Sequence, residues 1–223
     1  MKKFFSVWFV ALLCGFTTAV SASVTVTLNC EPSDVTISGL TPDNGAWAKG
    51  ENTCTLENGY AYVMFTAADN KVGKLVVNSS SSYTPFPSYS VYVGDGYTLE
   101  ISCWDMSDVR DASFTLNVAD ASKFTLTRSD NTTVSLQNGD NTIYFASGSH
   151  ESGYSEGSFT LRTSESDVLV SVASSTSSYR SNTVNGSVSI YPSNGATVKV
   201  YVYNLAEIRT ASCTVNVDEP SKL

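Results

Sequence analysis

The chain has little of what catalytic and metal sites usually need. Among 223 residues it contains one histidine, His150, and 13 Lys and Arg residues against 21 Asp and Glu, which gives a net charge of −8. With one histidine and no closely spaced cysteine pair, the sequence argues against a His/Cys metal site. Without a basic stripe, it also argues against nucleic acid and anionic membrane surfaces as partners.

The sequence lacks the local context of the common enzyme and nucleotide-binding motifs. A Gly-x-Ser-x-Gly segment occurs at 153–157, but no strand-to-helix turn is indicated around it, and there is no glycine-rich phosphate loop between a strand and a helix. His150 lies in the Gly/Ser-rich segment 147–153, where no positioned nucleophile is indicated. The sequence therefore predicts a protein that is not an enzyme and a solvated loop histidine.

Long apolar runs are confined to the N-terminus. Lys2 and Lys3 precede an apolar run over 4–16, and small residues lead up to Ala22. This pattern predicts a cleaved secretory signal at 1–22, so that the mature chain starts at Ser23 with 11 basic and 21 acidic residues. Leu13 is too bulky for the lipid-attachment motif that Cys14 would otherwise suggest. We expect a secreted, periplasmic or cell-surface protein without a membrane span.

One segment of the chain occurs twice. Residues 90–118 recur without a gap at 189–217, so that Gly96 matches Gly195 and Arg110 matches Arg209. The spacing of 99 residues fits one small domain per copy. The last residues, 217–223, parallel 118–124, which leaves open a two-domain protein with a tail or the front of a longer repeat protein.

The residues after Ser23 alternate between apolar and polar side chains. Clear alternation occurs in 24–30, 97–103, 114–118 and 196–202, and turn-forming Gly, Asn, Asp and Pro clusters separate these segments. The pattern predicts an all-β chain with two tandem antiparallel β-sandwich domains of about 100 residues, immunoglobulin-like or jelly-roll-like. The repeat places the first domain at 23–120 and the second at 121–223.

The second half of each copy resembles a known module. The pattern Gly-Tyr/Ala-Thr-Leu/Val-x-Ile/Val, followed by a polar loop and Phe/Cys-Thr-Leu/Val-Asn-Val, is similar to the closing hairpin of pre-peptidase C-terminal domains. That resemblance implies a β-sandwich attached to a secreted bacterial protein, with a structural or binding role. Immunoglobulin-like sandwiches stay open as an alternative, since Cys30, Trp47 and Cys103 follow an immunoglobulin-like order.

Four cysteines remain after signal removal: Cys30, Cys54, Cys103 and Cys213. Export favours disulfide formation, and Cys30–Cys54 is the predicted bridge because these two are nearest in sequence. The alternative is that all four are buried thiols.

Aromatic residues are the main binding signal. Trp104 follows the inward Cys103 and is therefore predicted to point outward, with Tyr203 at the equivalent place in the second copy. Trp47 lies in a turn-rich loop and could extend such a surface. Outward aromatic side chains beside Asp105 and Asp108 are typical of sugar-stacking sites. The alternative is that these rings pack at a domain edge.

The other residues shared by the two copies indicate a structural role, with a calcium site as the one possible binding role. Tyr92 matches Tyr191, which indicates a scaffold role for both. The segment 105–108 matches 204–207 with oxygen-bearing side chains at both ends, so calcium is the one candidate cofactor. A hydrogen-bonded turn closed by Arg110 or Arg209 explains the same residues.

Together these features predict an exported, non-catalytic binding or adhesion module that recognises a surface glycan or a surface protein. Two alternatives remain. One is a structural spacer within a larger secreted protein, and the other is an enzyme whose site is built from loops.

Overall fold

A computed structural model describes residues 21–83, 88–176 and 180–209, without the side chain of Arg180. Residues 1–20 of the predicted signal peptide, which include Cys14, lie outside these residues, as do Cys213 and the segment 217–223. The described chain forms two compact units. Unit 1 holds 21–67, 75–83 and 88–102, and unit 2 holds 68–74, 103–176 and 180–209.

Unit 1 is built on two sheets. Its strands are β1 (Ser23–Leu28), β2 (Val35–Ser38), β3 (Gly50–Thr55), β4 (Tyr60–Ala67), β6 (Ser81–Tyr83) and β7 (Ser88–Gly94), together with most of β8 (Thr98–Asp105) and the second part of β5 (Lys71–Val77). Residues 71–74 of β5 and 103–105 of β8 belong to unit 2. One sheet has the order β3-β1-β8-β5-β6 and the other the order β2-β4-β7. A short 3-10 turn at Pro32–Asp34 precedes β2.

Unit 2 repeats this plan. Its strands are β9 (Ala112–Val118), β10 (Phe124–Arg128), β11 (Thr133–Val134), β12 (Gly139–Phe145), β13 (Phe159–Thr163), β14 (Val168–Ser174), β15 (Arg180–Val184), β16 (Ser187–Ile190) and β17 (Thr197–Asn204). The sheets have the orders β12-β9-β17-β14-β15 and β11-β10-β13-β16. Two one-turn helices, α1 (Met106–Val109) and α2 (Leu205–Ile208), occupy matching places in the repeat, and a 3-10 turn lies at Ala121–Lys123.

The strands form because apolar residues alternate with polar ones and each sheet buries one face. In β9 every second residue is buried, and the same alternation holds in β1. The core of unit 2 draws on both of its sheets: Phe114 lies edge-on to Phe145 at 6.1 Å and to Phe159 at 5.3 Å between ring centroids. The predicted all-β sandwich fold is confirmed.

The first strand of each unit runs parallel to the last. Val26 of β1 lies beside Leu99 of β8, and Leu116 of β9 lies beside Val198 of β17. Leu99 and Val198 are repeat partners, so β9 takes in unit 2 the place that β1 takes in unit 1. The predicted frame of 23–120 and 121–223 groups β9 with the first domain, whereas β9 pairs with β12 and β17 in unit 2. The sequence repeat therefore gives one boundary between the two copies, and strand packing gives a different boundary, which lies before β9.

A buried asparagine locks this arrangement in both units. Asn141 Nδ2 donates to the carbonyl oxygens of Leu116, Gln137 and Gly139, and its Oδ1 accepts from the Gln137 N–H. Asn52 makes the same four hydrogen bonds in unit 1. Each asparagine thereby ties a turn to the parallel first strand. The paired segments Gly-Glu-Asn-Thr and Gly-Asp-Asn-Thr, 50–53 and 139–142, are the sequence signal of this feature.

Candidate functional site

Trp104 lies in unit 2 and is half-buried. Its indole N–H donates to Glu151 Oε1 at 2.7 Å, and its ring meets the His150 ring edge-on at 5.5 Å between centroids. Lys74 Nζ donates to the Glu151 carbonyl oxygen at 2.9 Å. Trp104 thus anchors the loop over 146–157, and only part of its ring is available to a ligand.

The two acidic residues predicted to lie beside Trp104 in a sugar site, Asp105 and Asp108, are at the surface near α1. Asp105 is exposed and forms an ion pair with Lys71 at 3.2 Å, and Asp108 is exposed in the first turn of α1. Helix α1 is closed by the Arg110 N–H, which donates to the Met106 carbonyl oxygen. In the described part of the chain, no three His, Cys, Asp or Glu side chains converge as a cation site would require.

The other two aromatic candidates have surroundings of their own. Tyr203 is 43% exposed on β17 and stacks against Tyr201 with 6.4 Å between ring centroids and 18° between ring planes. Trp47 is half-buried and belongs to unit 1. The structure therefore groups Trp104 with Asp105, His150 and Glu151, and it places Tyr203 beside Tyr201.

His150 and Ser152 form a local turn in the 146–157 loop. His150 Nδ1 lies 3.0 Å from Ser152 Oγ and also accepts the Ser152 N–H at 3.1 Å. Ser152 is fully buried, and its Oγ accepts the Tyr154 N–H at 3.3 Å. A serine enclosed in this way lacks the access to substrate that a nucleophile needs. The same loop is tied to Asp111, whose pKa is lowered because the Ser147 N–H and hydroxyl donate to it.

The interior of unit 2 contains a charged network. Glu156 is 1% exposed and accepts hydrogen bonds from Arg110, Arg128 and the Ala146 N–H. Arg128 also donates to the Tyr144 carbonyl oxygen and lies over the Phe159 ring, 5.2 Å from its centroid. Burial lowers the pKa of Arg128 despite the Glu156 charge.

The predicted Cys30–Cys54 bridge is wrong, because of the register of β1 and β3. Cys54 pairs with Val24, at the opposite end of β1 from Cys30, and the two strands are antiparallel. The extended chain from Val24 to Leu28, where β1 ends, spans about 13 Å, and Cys30 follows beyond that end, whereas a disulfide needs Cα atoms within about 7 Å. Cys54 is a buried thiol whose pKa burial raises to about 11.

A group of exposed aromatic side chains lies on the β2-β4-β7 sheet of unit 1. Tyr60, Tyr62 and Tyr92, here called the tyrosine face, are 67%, 53% and 69% exposed. Tyr62 pairs directly with Tyr92 across β4 and β7, and their ring centroids are 4.8 Å apart. Gly94 lies opposite Tyr60 in the register of β4 and β7.

The outward positions of the sheet that carries the tyrosine face have no charged side chain. The outward positions of the three strands are Thr36, Ser38, Tyr60, Tyr62, Met64, Thr66, Ser88, Ser90, Tyr92 and Gly94. Gly39 has a positive φ of 88°, and a Cβ there would collide with the Tyr62 carbonyl oxygen. This glycine therefore lets the chain after β2 pass close to β4 at Tyr62.

Sequence analysis missed this site. The match between Tyr92 and Tyr191 indicated a scaffold role, and Tyr60 and Tyr62 have no equivalent that would draw attention to them. The available signal was the order Tyr-Ala-Tyr-Val-Met-Phe over 60–65, in which large side chains fill both faces of one strand. A strand of this kind has either two buried faces or one apolar face in water.

Comparisons with known proteins add no family. No protein-family model and no curated protein matches the chain. Three solved structures are similar over 82% of its length: the major pilin of Streptococcus pyogenes (13% identity, 97% of that chain, TM-score 0.21), a mutant of it (13%, 98%, 0.23) and the T-13 major pilin of that organism (9%, 96%, 0.23). Likeness at this level carries no argument about activity or partners. The resemblance to pre-peptidase C-terminal domains stays a prediction.

The helices of this chain are short. Within the ranges that the structure describes, none of them is long and apolar enough to cross a bilayer.

Proposed function

We propose that this chain is an exported, non-catalytic binding module whose tyrosine face recognises a neutral surface glycan. Three exposed tyrosines on a charge-free sheet face are the observation that carries the proposal. Export rests on the signal-peptide pattern of residues 1–22. The absence of catalysis rests on the burial of Ser152, whose hydroxyl lies within hydrogen-bond distance of the His150 ring.

The chemistry of the face suits a sugar chain. Tyrosine rings offer apolar faces for the C–H groups of a pyranose, and their hydroxyls accept or donate hydrogen bonds at the rim. Tyr60 and Tyr62 are two residues apart on β4, about 7 Å along the strand, so successive rings extend the contact in one direction. The outward Ser and Thr hydroxyls of β2 and β7 add hydrogen-bonding groups beside them.

The charge pattern favours a neutral ligand. The chain carries a net charge of −8, yet the outward positions of β2, β4 and β7 have no charged side chain. A face for a charged partner would present complementary charges. Trp104, the predicted platform, supports the proposal less because its indole N–H is committed to Glu151.

The test is a binding screen of the mature chain against neutral soluble polysaccharides by affinity electrophoresis. We expect retardation on at least one polysaccharide, and Tyr62→Ala with Tyr92→Ala should weaken it at least tenfold, because the paired rings are lost. Tyr191→Ala removes a tyrosine of similar exposure from unit 2 and is the matched control. It should leave binding unchanged.

The melting temperature separates binding from folding. Loss of the Tyr62–Tyr92 pair should cost at most about 1 kcal/mol, so the double variant should melt only slightly below the parent chain and stay folded in the binding assay. Tyr191→Ala should melt with the parent, because single exposed side chains change stability little. Retardation that survives the double variant would move the site elsewhere. A chain that binds no polysaccharide but captures a surface protein through these tyrosines would replace the glycan by a protein ligand.

A further inference from the structure

A second surface feature of unit 2 differs in kind from the tyrosine face. Arg110 and Arg128 form the floor of an open cavity of about 460 Å³, here called the arginine pocket. Ser107, Thr142 and Tyr144 supply polar groups to its wall, and Val134 and Ile143 supply apolar ones. This volume is in the usual range for sites that hold a small molecule.

The floor of the pocket carries more positive than negative charge. Two guanidinium groups bond to one carboxylate, that of Glu156, at N–O distances of 3.0 to 3.3 Å. Both Glu156 oxygens are saturated, since Oε2 also accepts the Ala146 N–H at 3.0 Å. Asp130 is the acidic residue whose charge also reaches Arg128, and its Oδ1 is bonded to Thr132. One positive charge is thus left without a bonded carboxylate.

Donors remain available for a ligand. Arg110 uses Nε and Nη2 for Glu156, and Arg128 uses Nη1. No fully buried side-chain nitrogen or oxygen of the described residues lacks a partner, so the remaining guanidinium N–H groups reach the cavity or solvent. The arginine side chains are only 22% and 11% exposed, which limits how well water solvates the uncompensated charge.

We propose that the arginine pocket binds a small carboxylate-bearing ligand of the size of a uronic acid sugar. The carboxylate meets the free N–H groups of the two guanidiniums, which match its planar geometry. The sugar ring lies against Val134 and Ile143, and its hydroxyls face Thr142, Ser107 and Tyr144. The proposal is independent of the tyrosine face, which has no charge and lies in unit 1.

The experiment is a calorimetric titration of the mature chain with sodium glucuronate, with glucose and sodium sulfate as comparison probes. We expect saturable binding of glucuronate and no binding of glucose. Replacing either arginine would leave Glu156 short of a partner and risk unfolding, so the rim is altered instead. Ser107→Glu and Thr142→Glu each place a carboxylate beside the pocket and should weaken glucuronate at least tenfold.

Thr125→Glu is the matched control, since it adds the same charge at an exposed position of β10 outside the pocket. It should bind glucuronate like the parent chain, as should Tyr62→Ala. The proposal would be overturned by no heat of binding with glucuronate, by equal binding of glucose, or by equal affinity in the rim variants and the parent. Binding of sulfate alone would also overturn it, because the pocket would then hold a generic anion without recognising a sugar acid.

Discussion

Asn141 satisfies its hydrogen-bonding groups inside unit 2 while being 4% exposed. Asn141→Ala leaves the Gln137 N–H and several carbonyl oxygens without their partner. We expect the free energy of unfolding to fall by about 2–4 kcal/mol, as when several buried polar groups lose their bonds. Urea denaturation measures this, and Thr142→Ala, at the exposed neighbour, should stay within about 0.5 kcal/mol of the parent. Equal stabilities would mean that the turn does not depend on the asparagine.

The rate at which Cys54 reacts with a thiol reagent reports how well the core of unit 1 protects this side chain. With its pKa raised to about 11, the native thiol is almost wholly protonated at pH 8. Iodoacetamide should therefore label Cys54 at least about 100-fold more slowly in the native chain than in denaturant, where the thiol pKa is about 8.5. Mass spectrometry of the Cys54 peptide measures the rate. Labelling of the native chain at the denatured rate would contradict the burial.

The same thiol has a defined effect on stability against pH. Its folded pKa is raised, so its contribution is complete below the unfolded pKa of about 8.5 and is lost as pH rises towards about 11. Over that interval Cys54→Val should lose less stability than the parent chain. Parallel curves for the two proteins would show that the thiol keeps its ordinary pKa.

At the scale of elements, Glu156 joins three parts of unit 2. It links the end of α1 through Arg110, the end of β10 through Arg128 and the 146–157 loop through the Ala146 N–H. Glu156→Gln leaves two largely buried guanidiniums without a countercharge and should cost about 3–5 kcal/mol. Glu165→Gln breaks an ion pair with Lys123 at the surface and should cost less than about 1 kcal/mol. Similar losses in these two variants, measured by urea denaturation, would refute a special role for the buried network.

The passage of the chain after β2 depends on Gly39. Gly39→Ala adds a Cβ against the Tyr62 carbonyl oxygen at a position with positive φ. Gly45→Ala meets the same backbone preference in open space and is its control. We expect about 1 kcal/mol of destabilisation in Gly45→Ala, from the backbone alone, and more in Gly39→Ala. Equal melting temperatures would show that β4 moves away freely.

At the scale of the whole molecule, the chain has a net charge of −8, and its two proposed sites should respond differently to salt. Glycan binding to the tyrosine face involves no charged side chain, so its Kd should change less than about twofold between 50 and 500 mM NaCl. Glucuronate binding to the arginine pocket should weaken over the same range, because salt screens the attraction of the guanidiniums. Titrations at several salt concentrations measure both. A strong salt dependence of glycan binding would place that ligand on a charged surface.

The strands and the internal repeat could be predicted from the sequence. Contacts between residues that are distant along the chain could not. The alternation in 114–118 predicted β9 because burial of one strand face is a local property of the chain. It could not assign β9 to a sheet, since that depends on pairing with β12 and β17. The Cys30–Cys54 prediction failed for the same reason: nearness in sequence does not set the register of two strands.

The linear order of residues was therefore sufficient for the all-β class and for the internal repeat. Tertiary structure alone brought Tyr62 beside Tyr92, thirty residues later in the chain, and placed Glu156 between two arginines from different elements. It also showed that Trp104, predicted as a binding platform, is hydrogen-bonded to Glu151 in the 146–157 loop. Alternation is set by neighbours along the chain, whereas a binding surface is set by which strands pair and in which register.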